Sequence, residues 1–422
     1  TCEAGTDAMT VLEQHGPTDR SVLRRRRGSG EDGRDGRGRV SSTLPILHYG
    51  FRPFFLLAAL HAGLAIPAWL WMFRTGWSPA GPFAALDWHV HEMLFGYLSA
   101  VIAGFVLTAV PNWTGRLPLS GGPLAGLVGL WFLGRAANLT VGEPLLAMAA
   151  DLAFPVVLAA AVWREVTAGR NWRNAPVAAM LTLFALANGL HHSGNFELSA
   201  AAPGLRLALG VATVLIALIG GRIVPSFTRN WLVRNGDGRL PASFGIVDKA
   251  ALAATVTAVA AWVALPDLQA TGGLLVLAGA LLAVRLARWR GDLAAREPIV
   301  LVLHLGYGWL AAAVLLLGAA ILAPGLPPSA AIHALTAGAV GTMTLAVMTR
   351  ASLGHTGRAI EADGWTLAIY AAVSAGALLR VAAPFADTHY LALLTAGGAL
   401  WSLAFLLFAL RYGPILSKPR KG

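Results

Sequence analysis

Histidine is the residue type that could do most of the chemistry in this 422-residue sequence. The chain has eleven histidines but a single cysteine, Cys2. One thiol excludes protein-ligated iron–sulfur clusters, covalently attached c-type haem, thiolate copper sites and structural disulfides. Any metal bound by this chain would therefore use His, Met, Asp, Glu or Tyr as ligands.

Six of the histidines lie near the ends of apolar segments, and their spacing is compatible with ligands for two metal or cofactor centres. They are His89, His91, His191, His192, His333 and His389. On a helix, His89, Glu92 and Met93 share a face, whereas His91 points to nearly the opposite side, with Phe95. His191 and His192 are about 100° apart on a helix. In each pair, one histidine could therefore ligate one centre while the other serves a second centre.

The elements that position these residues are predicted to be membrane-spanning helices. Hydrophobic residues make up 56% of the chain and charged residues only 13%. The hydrophobic residues form blocks of about 20, long enough to cross a bilayer core of about 30 Å. This composition excludes a soluble enzyme, a β-barrel and a nucleic-acid-binding domain. The formal charge of +11 comes from basic residues in short loops between apolar blocks.

The sequence therefore predicts an all-α, polytopic membrane protein, because helices satisfy their own backbone groups in lipid. Residues 45–415 form the predicted membrane domain, residues 416–422 a short basic cytoplasmic tail, and residues 1–44 a disordered tail of mixed charge. An incorrectly assigned start site is an alternative explanation of residues 1–44. The twelve predicted transmembrane helices cover about 51–73, 88–111, 122–141, 144–164, 175–197, 204–230, 246–264, 272–289, 298–322, 328–350, 365–383 and 388–411.

The distribution of basic residues predicts the orientation. Fourteen Arg and Lys residues lie in or beside the loops that follow even-numbered spans up to the tenth, whereas the opposite loops offer only Arg74 and Arg206. The positive-inside rule therefore places both termini in the cytoplasm. In this orientation the six histidines, contributed by four spans, lie at one depth near the outer face. Such convergence favours a cofactor or metal site over scattered core histidines.

A repeat is also visible in the sequence. Residues 109–114 (AVPNWT) and 223–228 (IVPSFT) are similar and stand four spans apart. Three four-helix units around a pseudothreefold axis would explain this similarity. Shared chemistry of helix ends would explain it equally well.

Further polar residues in the outer half of the spans are candidates for binding a haem. A haem carries two propionates, and buried propionates need Arg or amide donors. Arg135 and Arg380 are suited to that role. The alternative for Arg135 is an ion pair with Asp151 on the neighbouring span.

Several long motifs in the chain resemble the NnrS family, and the resemblance covers about residues 46–415. They are residues 49–55 (YGFRPFF), 87–96 (DWHVHEMLFG), 104–115 (GFVLTAVPNWTG), 188–192 (NGLHH), 219–228 (IGGRIVPSFT), 333–338 (HALTAG) and 348–358 (MTRASLGHTGR). The resemblance implies a twelve-helix protein of the bacterial inner membrane that contains haem and copper. It also implies an association with nitric oxide and nitrosative stress.

Our first hypothesis is accordingly a protein with a b-type haem and copper that binds or turns over nitric oxide, with an electron donor that the sequence does not identify. His333 and one of His89 and His91 are the expected haem ligands. Copper would be ligated by His191, His192 and the remaining histidine of the second span, with His389 a further candidate. Glu92 would orient a ligand imidazole or pass protons.

Two other functions are compatible with the sequence. The outer histidines could form the uptake site of a transporter for copper or a small solute. The protein could also be a nitric oxide sensor or an assembly factor without turnover.

Overall fold

The computed structural model describes residues 44–196, 201–236 and 238–421 of the chain. The tail predicted for residues 1–44 lies, apart from Leu44, outside these described residues. Within them every regular element is a helix and there is no strand. This confirms the all-α class.

Twelve long helices follow one another along the described part of the chain. Three of them, α2, α6 and α10, are interrupted by a π-helical segment. The nine uninterrupted helices are α1 Phe51–Thr75, α3 Gly121–Thr140, α4 Pro144–Ala168, α5 Ala175–His192, α7 Ile246–Ala264, α8 Gln269–Ala287, α9 Pro298–Leu322, α11 Gly364–Ala382 and α12 Tyr390–Ser417. The three interrupted helices each consist of an α-helical part, a π segment and a second α-helical part: α2 is Ala85–His91, Glu92–Leu98 and Ser99–Thr114; α6 is Ala201–Leu215, Ile216–Gly220 and Gly221–Arg234; α10 is Pro328–His333, Ala334–Val340 and Gly341–His355.

Local sequence signals explain where several helices begin and end. Pro144 and Pro298 occupy the first position of α4 and α9, where a missing N–H costs nothing. At the start of α4 the Glu143 carboxylate accepts a hydrogen bond from the Leu146 N–H at 2.7 Å. Helix α1 ends at Gly76, whose φ of 73° is a left-handed conformation that favours glycine.

Ten of the described helices are long and apolar enough to cross a membrane. Helices α3 and α5 have a lower mean hydropathy than these ten, because α3 contains Arg135 and Asn138 while α5 ends in His191 and His192. Polar residues of the candidate site described below thus lower the hydropathy of these two helices. The twelve helices confirm the fold class, and the number that cross the membrane stays a prediction.

The three helices with π segments share a second property. Helices α2, α6 and α10 are the most completely buried of the membrane-spanning candidates in the described chain. They also stand at intervals of four helices, as the pseudothreefold hypothesis expects. The arrangement of three units around an axis stays a prediction.

The first and last helices pack against each other and close the bundle. Arg52, at the start of α1, is buried, and its guanidinium donates hydrogen bonds to the Leu416 carbonyl at 2.8 Å and the Lys418 carbonyl at 2.6 Å. These carbonyls belong to the end of α12, where a helix has acceptors without intrahelical donors. The contact therefore fixes the C-terminal end of α12 to α1.

The predicted orientation can be tested by labelling single cysteines in a Cys2→Ser background. Ser243→Cys lies in the exposed loop before α7, on the side predicted to be cytoplasmic, and Gly325→Cys lies in the exposed loop before α10. A membrane-impermeant maleimide should label position 325 in intact spheroplasts and position 243 only after the membrane is opened. The reverse pattern would contradict the orientation.

Candidate functional site

A cluster of buried polar side chains lies where α2, α3, α4 and α5 meet. Buried ionisable groups are costly in a membrane protein, and they mark functional sites when several of them converge. The members of this cluster are His91, Glu92, Arg135, Asn138, Asp151, Asn188 and His192.

Arg135 on α3 holds the two acidic members of the cluster together. Its guanidinium donates to the Glu92 carboxylate at 2.8 Å and, through its other terminal nitrogen, to Asp151. His61 on α1 contacts the second oxygen of Glu92 at 2.9 Å. The ion pairs offset the cost of burying these charges, and they fix α1, α2, α3 and α4 relative to one another.

Two glycines make room for this network. A Cβ atom at Gly96 would lie 2.6 Å from His61 Nε2 and 2.7 Å from the Arg135 guanidinium. A Cβ atom at Gly134 would lie 2.6 Å from an Asp151 carboxylate oxygen. Any larger side chain at either position would push the charged groups apart.

The imidazoles of His91 and His192 converge on Asp151. His91 Nε2 lies 3.0 Å from Asp151 Oδ2, and His192 Nε2 lies 3.2 Å from the same oxygen. His91 Nδ1 lies 3.1 Å from Glu92, so Glu92 can accept its proton and leave Nε2 as the donor atom for a metal. Asn188 donates its amide to Asp151 Oδ2 at 2.7 Å.

This geometry could hold a metal ion. His91, Asp151 and His192 each offer one donor atom, and these atoms lie within 4.8 Å of one another. The cluster contains two carboxylates and one guanidinium, so one negative charge is unbalanced. A metal cation or a protonated imidazole at this point would supply the missing positive charge.

His191 lies between this cluster and a large cavity. Its ring is 5.7 Å from the ring of His91 and 5.3 Å from that of Phe83, measured between centroids. The His191 side chain also lines the cavity. The two candidate centres are therefore neighbours across a wall of aromatic rings.

The cavity has a volume of about 690 Å³ and is lined mainly by apolar side chains from α1, α2, α6, α10, α11 and α12. This volume is within the usual range for pockets that bind organic ligands or cofactors. Among the polar groups on its wall are His89, His333 and Arg380. The cavity thus combines two imidazoles and a guanidinium with an apolar interior.

The polar groups of the cavity are positioned for a ligand. His333 Nδ1 lies 2.7 Å from the Ser329 carbonyl and can donate to it, which leaves Nε2 as an acceptor or ligand atom. His89 stacks on Trp69 with ring centroids 4.2 Å apart. One terminal nitrogen of Arg380 and Nδ1 of His89 are buried and have no hydrogen-bond partner among the described residues. Such groups are normally satisfied by a ligand, water or ion.

The structure separates the six predicted histidines into groups. It brings His89 and His333 to the cavity, and it brings His91 and His192 to Asp151, with His191 between them. His389 joins neither group, because it lies exposed in the short turn Asp387–His389 before α12.

The two predicted arginines also separate. Arg380 lines the cavity, as a propionate partner would. Arg135 instead forms the alternative ion pair with Asp151, and it is not among the residues that line the cavity. Glu92, expected on the face of His89, is turned toward Arg135 by their ion pair.

Sequence reasoning missed two contributors to the site. His61, in the first span, is not among the residues that the sequence pattern singles out, yet its imidazole contacts Glu92. Asp151 was considered only as a partner of Arg135, and its role between two imidazoles was not foreseen. The available signal was the cost of placing an ionisable side chain in an apolar span.

Replacing Arg135 should destabilise the protein strongly. Arg135→Met leaves Glu92 and Asp151 buried without their cation, and we expect a loss of about 3–5 kcal/mol, measured by unfolding of the detergent-solubilised protein. Arg116→Met is the matched control, because it removes the exposed ion pair with Glu165 and should cost at most about 1 kcal/mol. Equal effects of the two substitutions would contradict a central role of Arg135.

Comparison with known proteins agrees with the motifs in the sequence. The family model described as NnrS protein matches residues 45–420, nearly the whole chain. No curated protein matches the chain. Because this family match covers nearly the whole chain, the chain belongs to the NnrS family.

Proposed function

We propose that this chain binds haem and copper in the bacterial inner membrane, with both termini in the cytoplasm, and that it binds or turns over nitric oxide. The observation that carries the proposal is the pairing of His89 and His333 with Arg380 in one apolar cavity. A second group of imidazoles, His91 and His192, lies next to His191 on the wall of this cavity. The family's association with nitric oxide directs the choice of ligand.

The residues of the cavity fit a haem. Haem iron is commonly ligated by a neutral imidazole, and the Ser329 contact of His333 favours the tautomer with a free Nε2. Arg380 offers a buried guanidinium nitrogen to a propionate. The apolar walls suit the porphyrin ring. A haem bound here would supply an iron coordination position for nitric oxide.

The polar cluster fits copper. Imidazole and carboxylate donors suit divalent copper, and His91, His192 and Asp151 provide them within one small volume. Glu92 would orient His91 by accepting its Nδ1 proton. His191, between the cluster and the cavity, is placed to join either centre. Copper and haem would thus occupy adjacent sites.

An absorption spectrum tests the haem proposal. The purified protein should show a Soret band that shifts when nitric oxide is added, and His333→Ala should alter or abolish the band because it removes an iron ligand. His389→Ala is the control, since His389 is exposed and outside the cavity. A pure, folded protein without a Soret band would refute haem binding.

Elemental analysis tests the copper site. His192→Ala removes one of three ligands and should lower the bound copper by at least about tenfold, the scale of effects seen when metal-site groups are lost. His304→Ala is the control, because His304 is buried against Thr228, to whose hydroxyl its Nε2 is hydrogen-bonded at 2.8 Å. Equal copper contents in the two variants would show that the metal binds elsewhere. Zinc found in place of copper would show that the site binds zinc.

A further inference from the structure

Two motifs of the sequence that the candidate site does not use meet at one corner of the bundle. They are residues 49–55 (YGFRPFF), at the start of α1, and residues 348–358 (MTRASLGHTGR), at the end of α10. The rings of Phe51 and His355 join them, with centroids 5.4 Å apart. Because both helix ends are predicted to face the cytoplasm, this corner is predicted to lie at the cytoplasmic surface.

The residues that follow α12 connect the two motifs. The Lys418 carbonyl accepts a hydrogen bond from the Arg52 guanidinium at 2.6 Å, and the Lys421 N–H donates to the Thr356 carbonyl at 3.1 Å. Between these contacts, the side chain of Arg420 lies against the end of α10. The C-terminal residues thus run from the start of α1 to the end of α10 and bring their own charges with them.

The fold thereby gathers five basic residues at this corner. We call this group the basic corner, and its members are Arg52, Arg358, Lys418, Arg420 and Lys421. Arg358 lies close enough to Arg52 for their charges to repel each other. None of the five forms an ion pair with an acidic residue of the described chain. Positive charge therefore accumulates here without compensation.

Arg52 differs in this respect from the other two buried arginines of the described chain. Arg135 pairs with carboxylates in the candidate site, and Arg285 pairs with Asp248 at 2.8 Å. Arg52 is only 2% exposed, its hydrogen bonds go to neutral carbonyls, and its Nε has no hydrogen-bond partner among the described residues. Burying a charge is costly unless an opposite charge lies near it. The basic corner thus lacks an anion.

Exposed apolar and aromatic residues place the basic corner at the level of the lipid headgroups. Leu44 and Tyr49 are exposed just before α1, and Leu403 and Leu410 are exposed on one face of α12. An exposed tyrosine at a helix end is typical of the interface between membrane and water, and exposed leucines within an apolar span suit contact with acyl chains. A ligand with a charged head and an apolar tail would match both surfaces.

We propose that the basic corner binds the phosphate group of an anionic phospholipid of the cytoplasmic leaflet, with the acyl chains along the exposed leucines of α12. Guanidinium groups match phosphate oxygens in charge and geometry. Basic sites at the cytoplasmic ends of membrane helices bind anionic headgroups. Arg358 and Arg420 reach the surface and donate to the phosphate, whose negative charge also compensates the buried Arg52.

This lipid site is independent of the proposed function. None of the five basic residues lines the cavity or belongs to the group of His91, Asp151 and His192. The site would instead hold together the ends of three helices, because its residues come from α1, from the end of α10 and from the segment after α12.

The test measures which phospholipids the purified full chain retains. The protein is equilibrated with mixed micelles of phosphatidylglycerol and phosphatidylcholine that carry the same acyl chains, and native mass spectrometry counts the bound lipids. The wild type should prefer phosphatidylglycerol. The double variant Arg358→Gln/Arg420→Gln should lower this preference by about thirtyfold, the product of two contributions of about 1 kcal/mol each. Each single variant should lower it by about fivefold, which keeps the test open if the double variant is unstable.

A matched double variant controls for the loss of positive charge. Lys249→Gln/Arg296→Gln removes two exposed basic residues on the side predicted to be cytoplasmic, outside the basic corner. This variant should keep the preference of the wild type. Inorganic phosphate, added at constant ionic strength, tests the second source of a phosphate group and should not displace phosphatidylglycerol, because it offers no acyl chain.

Three results would overturn the lipid site. A wild type without preference for phosphatidylglycerol would show that the basic corner does not select an anionic headgroup. Equal preferences in the two double variants would show that Arg358 and Arg420 do not hold it. Displacement of phosphatidylglycerol by millimolar inorganic phosphate would show that the basic corner takes free phosphate, and the lipid would no longer be its occupant.

Discussion

The bridge that Arg135 makes between Glu92 and Asp151 is the interaction on which the candidate site depends. Two carboxylates do not remain ionised inside an apolar bundle unless a cation lies between them. Because the partners come from three helices, the ion pairs also set the distances between those helices. Asp151 is thereby held where His91 and His192 can meet it. The ion pairs that compensate the buried charges thus also set the geometry of the candidate metal site.

The π segments show how the helices serve both packing and chemistry. In α2 the segment begins at Glu92, directly after His91, and in α10 it begins directly after His333. A π segment adds a residue to a turn, and such segments often occur at functional sites. In these two helices the change of winding thus adjoins a histidine of the candidate site.

The sequence predicted the helices well because their lengths follow from the thickness of a bilayer. It also predicted that His89 and His91 would point to different sites, since helical geometry alone separates them. It left the position of Arg135 open between a haem propionate and Asp151, because both are anions that a buried guanidinium can pair with. The contact between His61 and Glu92 depends on how α1 packs against α2, which no local pattern encodes.

The buried Arg52 at the start of α1 makes its hydrogen bonds to the last turn of α12 and to the residue after it. During synthesis its guanidinium therefore lacks these acceptors until residue 418 has left the ribosome. A chain terminated before residue 416 would retain an unsatisfied cation between its helices. Such a fragment would be destabilised, because a buried charge without a partner is costly, so the contact makes the stability of the first helix depend on synthesis of the last one.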